Sequence, residues 1–210
     1  MKTRFSRSAL AVALSVLSVL AIGCSRKEKA DEGKELSKNP IAALSQISEA
    51  AKKAADAAKE SSEMKPVDPV RFDALLPLLP PAPAGFTAEE PRGETSSAMG
   101  FKITEVERAY SKGDQRLDVK IVDGAYNAFI YAGVTMAAQF ARESTEGYEK
   151  GVTIDGNPGV EKWSKASKRG ELTVVVAKRF LVTVEASPVE PDFVRSVYGS
   201  VDKARLAALK

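Results

Sequence analysis

The chain has 210 residues, 44% hydrophobic, 7% aromatic and 28% charged, the composition of one ordinary globular domain with appendages rather than of a disordered polymer. It holds no histidine and a single cysteine, which excludes Ser-His-Asp and Cys-His catalysis, zinc sites built on those residues and any intrachain disulfide. The formal charge of +3 comes from Lys2, Arg4 and Arg7; beyond them bases and acids balance, leaving no electrostatic footprint for nucleic acid.

Those three bases open the chain, and an uncharged apolar run follows over 9–22. The run is shorter than the roughly 20 residues needed to cross a bilayer, but it suits the hydrophobic part of a signal peptide. It ends in Leu20-Ala21-Ile22-Gly23-Cys24. With that boundary the segment resembles a bacterial lipoprotein precursor, Ala21 standing where an aliphatic residue is commonest. The resemblance implies a signal peptide over 1–23, removed on maturation. It also implies a lipidated Cys24 as first mature residue, bearing a thioether-linked diacylglycerol and an N-acyl (palmitate-type) chain. Ser25, rather than Asp, after the cysteine implies an outer-membrane anchor facing the periplasm. One acyl chain holds a protein only marginally, at about 0.8 kcal/mol per buried methylene, whereas two or three hold it stably.

Residues 24–66 then form a tether. Positions 25–38 are dense in Lys, Glu, Asp and Ser and have little to bury, so they read as solvated linker. Asn39-Pro40 is a helix-start pair, and the Ala-rich stretch 41–60 has strong helix propensity. Its apolar stripe of Ile41, Leu44, Ile47 and Ala51 is thin, which favours a spacer helix that is dispensable for folding. A Pro-rich connector is expected over 67–84, its leucines covering one edge of the domain that follows.

From 85 to 210 the pattern is that of an α+β domain. Strands are expected at 86–89 and 96–104, and at 106–110 and 116–122 around the hairpin loop Ser111-Lys112-Gly113-Asp114. Further pairs are expected at 148–154 with 159–164, and at 171–177 with 180–186. Leu117, Val119 and Ile121 alternate with Asp118 and Lys120, as a half-buried strand does. Short connections of this kind mean antiparallel pairing. Helices are expected over 126–144 and from Pro191 to the terminus, both packed on one face of an antiparallel sheet. The expected core is Leu117, Val119, Ile121, Ile130, Phe140, Val174, Val176, Val182, Val184 and Val197.

Chemistry is sparse. Asp155-Gly156-Asn157-Pro158 lacks the acid spacing of a calcium loop and reads as a turn. Ser111-Lys112, Ser164-Lys165 and Ser167-Lys168 are adjacent pairs, which strands direct to opposite faces and turns leave in water. Asp118 and Glu185 point outward by alternation. No catalytic residue, cofactor or metal site is therefore expected, and the chain reads as a non-enzymatic envelope lipoprotein. Its partners are the membrane, through Cys24, and an envelope protein. The alternative is a periplasmic carrier of a small apolar ligand or lipid; a carboxylate-dependent hydrolase is the third reading. The stretch 124–141 carries no charge, and on it Tyr126 and Tyr131 are candidate binding residues, since Tyr tolerates both apolar contact and water.

Overall fold

The computed structural model describes residues 67–98 and 101–209, together with Lys52, Asp56, Lys59 and Lys65. The chain divides into two compact units, Met1–Ala43 and Leu44–Lys210, and every described residue belongs to the second. The expected signal peptide, Cys24 and most of the expected tether lie outside the described residues.

The second unit is an open antiparallel sheet with a few short helices. In chain order its elements are α1 (Phe72–Leu75), a 3-10 turn (Leu76–Leu78), β1 (Thr87–Ala88), β2 (Arg92–Ala98), β3 (Phe101–Lys112), β4 (Gln115–Asp123) and α2 (Ala128–Ala137). Then come β5 (Ala141–Ser144), β6 (Gly147–Ile154), β7 (Asn157–Ser164), β8 (Arg169–Val176), β9 (Phe180–Ser187), α3 (Phe193–Gly199) and α4 (Lys203–Ala208). The strand order is β1-β3-β4-β9-β8-β7-β6-β5, with β2 also paired to β3.

Turn chemistry sets the registers. Gly113 carries φ +60° at the first central position of the β3–β4 turn, between the paired Lys112 and Gln115. Asp155 and Gly156 both have positive φ, at 51° and 76°, so the β6–β7 connection is a two-residue hairpin turn of the kind whose twist matches that of its strands. Asn157 already belongs to the ladder, opposite Ile154.

Alternation then divides the sheet into two faces. On the first, Val106, Tyr110, Leu117, Val119, Ile121, Leu172, Val174, Val182 and Val184 are buried. Val194, Val197 and Tyr198 from α3, Val201 from the link after it and Leu206 from α4 cover them, joined by Leu75, Leu78 and Leu79 from the N-terminal piece. Each such aliphatic side chain contributes about 1.5–3 kcal/mol on full burial. Residues 67–84 are thus more than a connector, since their leucines close the core.

The second face carries cross-strand ion pairs, Lys120 with Glu105 at 2.7 Å, Arg169 with Glu185 at 2.7 Å and Lys162 with Glu171 at 3.5 Å. At one end it turns apolar, with Val122, Val160 and Val175 buried. There α2 lies on it. A Cβ on Gly151, which shares that face with the paired Val160, would sit 1.8 Å from the Ala138 carbonyl oxygen. A Cβ on Gly170, on the first face, would instead meet Val194 of α3 at 3.1 Å. The expectation of both helices on one face is corrected accordingly: α2 and the C-terminal helices cover opposite faces.

The helices are also shorter than expected. The segment expected as helix over 126–144 is helical only over Ala128–Ala137, and Ala141–Ser144 pairs with β6. The C-terminal helix is broken after Gly199; Asp202 restarts it by accepting the Arg205 amide at 2.9 Å, an N-cap in the usual sense. Of the expected core, Phe140 is 69% exposed and Ile130 only half-buried.

Candidate functional site

Tyr126 and Tyr131 sit close in sequence but in different settings. Tyr126 occupies a turn with φ +57°, closed by the Asn127 amide donating to the Gly124 carbonyl at 2.7 Å. Its half-buried ring lies 5.3 Å from the Arg179 guanidinium. Tyr131 is buried, 7% exposed, and offers almost no surface to a partner. Beside Tyr126, Arg179 donates to both carboxylate oxygens of Asp123, at 2.8 and 2.7 Å. Asp123 also accepts the amides of Val70 and Ala125, each at 2.8 Å. Both ends of this pair are buried and every carboxylate oxygen is satisfied, so it reads as a clasp joining the N-terminal piece, β4 and the β8–β9 turn.

A different group gathers where β6 and β7 leave the cover of α3. On β7 the first-face positions are Gly159, Glu161 and Trp163, and on β6 Tyr148 stands opposite Trp163. The Tyr148 and Trp163 rings stack with centroids 6.4 Å apart, and the Lys150 ammonium lies 4.3 Å from the Tyr148 ring centroid. Glu161 is 2% exposed. It accepts the Tyr148 hydroxyl at 2.5 Å and the Arg195 Nε–H at 2.6 Å, with Arg195 Nη2 on the same carboxylate oxygen. Burial and the bond to Glu161 push the Tyr148 hydroxyl above the usual tyrosine range, so it stays a donor. The Trp163 Nε1–H is buried without a hydrogen-bond partner.

Arg142, Ser144, Glu146, Glu149 and Ser164, with Tyr148 and Trp163, line an open cleft of about 250 Å³; by register Arg142 and Glu149 stand on the face opposite the two rings. The cleft borders β5, the outermost strand in the sheet order, all four of whose residues are exposed. Sequence reasoning passed over this group, although a signal was present. In β7 the alternation that seats Trp163 toward the core also seats Glu161 there, and an acid on an apolar register needs a partner.

A second hollow of about 130 Å³ lies among Glu89, Glu90, Arg92, Glu107 and Asp118. Burial, then the negative charges of Glu185 and Glu107, raise the Asp118 carboxyl above its ordinary value. Both hollows are polar, and both fall below the roughly 300 Å³ at which small-molecule pockets begin. Among the described residues no three acidic or cysteine side chains gather as a metal site, and no helix is long and apolar enough to cross a membrane.

No family model matches the chain, and no curated protein does. A solved structure of an uncharacterized protein from Mycobacterium smegmatis is similar at 12% identity, over 60% of this chain and 90% of that one, with a TM-score of 0.31. A likeness of that degree transfers no function.

Proposed function

We propose that this chain is a lipoprotein of the bacterial envelope, held at the outer membrane through a lipidated Cys24 and facing the periplasm. Its α+β domain acts there as a non-catalytic module that binds a protein partner. The cleft between β5 and β7 is the surface we assign to that partner. The observation that carries this reading is the edge formed by β5 to β7, where the exposed Arg142 stands at the cleft and the stacked Tyr148 and Trp163 rings brace the same strands, held by the buried Glu161 and its ion pair with the exposed Arg195. Trp, Tyr and Arg are the residue types that dominate binding energy at protein interfaces, and rings already fixed in place lose little freedom on binding. The polar walls and modest volume favour a peptide or protein surface over the small apolar ligand of a carrier. The exposed edge of β5 leaves room for an extended segment of the partner beside it.

Two measurements test the proposal. Mass spectrometry of membrane-purified protein should find an N-terminal acylated Cys24 peptide; a free thiol or a mature end upstream of Cys24 would refute the anchor. A photo-crosslinking residue placed at Ser144 should trap a discrete protein adduct in cells. Arg142→Glu, on an exposed side chain, should abolish that adduct while leaving the melting temperature in place. An adduct indifferent to Arg142→Glu and to Tyr148→Ala would remove the cleft from the function.

A further inference from the structure

The outer side of α2 is an apolar ridge with nothing on it among the described residues. Met136 is 51% exposed and Phe140 69%, Gly133 is exposed beside them, and residues 124–141 contain no charge. Gly133 and Met136 follow helical spacing on α2, and the exposed Phe140 stands just past its end. A ridge like this on a soluble domain calls for an occupant, and the chain itself supplies one in the right place.

The N-terminal segment reaches the domain at the head of this helix. The Val67 amide donates to the Ala125 carbonyl at 3.3 Å, and Ala125 stands three residues before α2 begins. Upstream, Lys52, Asp56 and Lys59 are helical and exposed. Their spacing of four and three places them on one face; in the sequence Ile47, Ala50, Ala54 and Ala57 recur at the spacing expected of the opposite face. We propose that this alanine face of the 41–60 segment docks along the Gly133–Met136–Phe140 ridge of its own chain.

Length and shape agree. The six residues 61–66 span up to about 20 Å when extended, while α2 is about 15 Å long and a 20-residue helix about 30 Å. The segment can therefore turn back from Val67 and cover the whole ridge. Alanine lets the two backbones approach closely around the protruding Met136 and Phe140 side chains, with Gly133 leaving a gap between the helices at its level. The face bearing Lys52, Asp56 and Lys59 then remains in water. Docked in this way, the segment covers the ridge and shortens the free tether to the residues between Cys24 and position 40.

The test uses the full chain with Cys24→Ser, which removes its single thiol, and pairs of new cysteines at low protein concentration. Ala54→Cys with Met136→Cys should form an intrachain disulfide under mild oxidation. The rate should exceed that of the outward-facing control Asp56→Cys with Met136→Cys by about tenfold, as expected when docking raises effective concentration on one side only. In the chain without new cysteines, Met136→Ser with Phe140→Ser should speed proteolytic cleavage within 41–60. Equal disulfide rates overturn the proposal. So does a disulfide found only between chains, which would assign the ridge to a second copy. Binding of the unlipidated chain to phosphatidylethanolamine–phosphatidylglycerol vesicles, lost on Phe140→Ser, would assign it to the membrane and equally overturn it.

Discussion

Asp123 shows how much one side chain can organise. It joins Val70, Ala125 and Arg179 through hydrogen bonds, all in a buried setting where removing one partner strands the other charge. Arg179→Met is expected to cost about 3–5 kcal/mol in denaturant unfolding, the range for a broken buried pair. Asp118 is the opposite case, a partly desolvated acid among acids. Its raised proton affinity means the folded chain holds more protons than the unfolded one between the unfolded and folded pKa values. Stability therefore falls as pH rises through that window and recovers below it. Asp118→Asn should raise the melting temperature at neutral pH by about 1–2 °C, with the gain vanishing as the pH is lowered through the carboxylate range. The same scale separates Tyr131 from Phe140. Tyr131→Ala should cost about 3–5 kcal/mol, whereas Phe140→Ser, at an exposed site, should change stability by less than about 0.5 kcal/mol. Sequence periodicity placed Phe140 in the core and offered Tyr131 as a binding residue, the reverse of their burial, because it extended the helix through position 144. Phe140 lies past the end of α2, so helical spacing no longer dictates its direction.

At the level of elements, the hairpins were the most legible part of the sequence. Gly113 and Asp155-Gly156 mark tight turns, and the alternation of Leu117, Val119 and Ile121 matches their burial. The helices were harder to read. An apolar stripe says that a helix packs, not which side of the sheet receives it, and only the close approach of Ala138 to Gly151 settles the second face for α2. The group beside the cleft was legible only at Glu161, since its partner Arg195 reaches it from α3, 34 residues on in the chain. The N-terminal piece was read as a Pro-rich connector whose leucines cover one edge of the domain, and Leu75, Leu78 and Leu79 are buried. Tyr110 fastens the same piece by donating its hydroxyl to the Pro80 carbonyl at 2.5 Å. Leu78→Ala should accordingly cost about 2–5 kcal/mol. A chain beginning at Gly85 should lack a cooperative thermal transition that a chain beginning at Met64 retains.

Across the whole molecule, the sheet consists of two sequence-local stacks. β1 to β4 form one and β5 to β9 the other, and among the described strands the two pair through β4 and β9, from Arg116 opposite Ser187 to Asp123 opposite Phe180. Every other ladder joins strands near in the chain, while this seam joins strands separated by α2 and β5 to β8. Closing a long loop before any contact rewards it is the slow part of assembling such a topology. The seam is thus the expected rate-limiting event of folding, and the point where opening would separate the sheet into two halves. Val119→Ala and Val182→Ala, on facing seam strands, should slow refolding in stopped-flow measurements, whereas Val160→Ala, in the local β6–β7 pair, should chiefly hasten unfolding. The Asp123–Arg179 clasp stands at one end of that same seam, so losing it would let the join fray from that end first, with the amides of Val122 and Leu181 exchanging with solvent before those of Leu117 and Ala186.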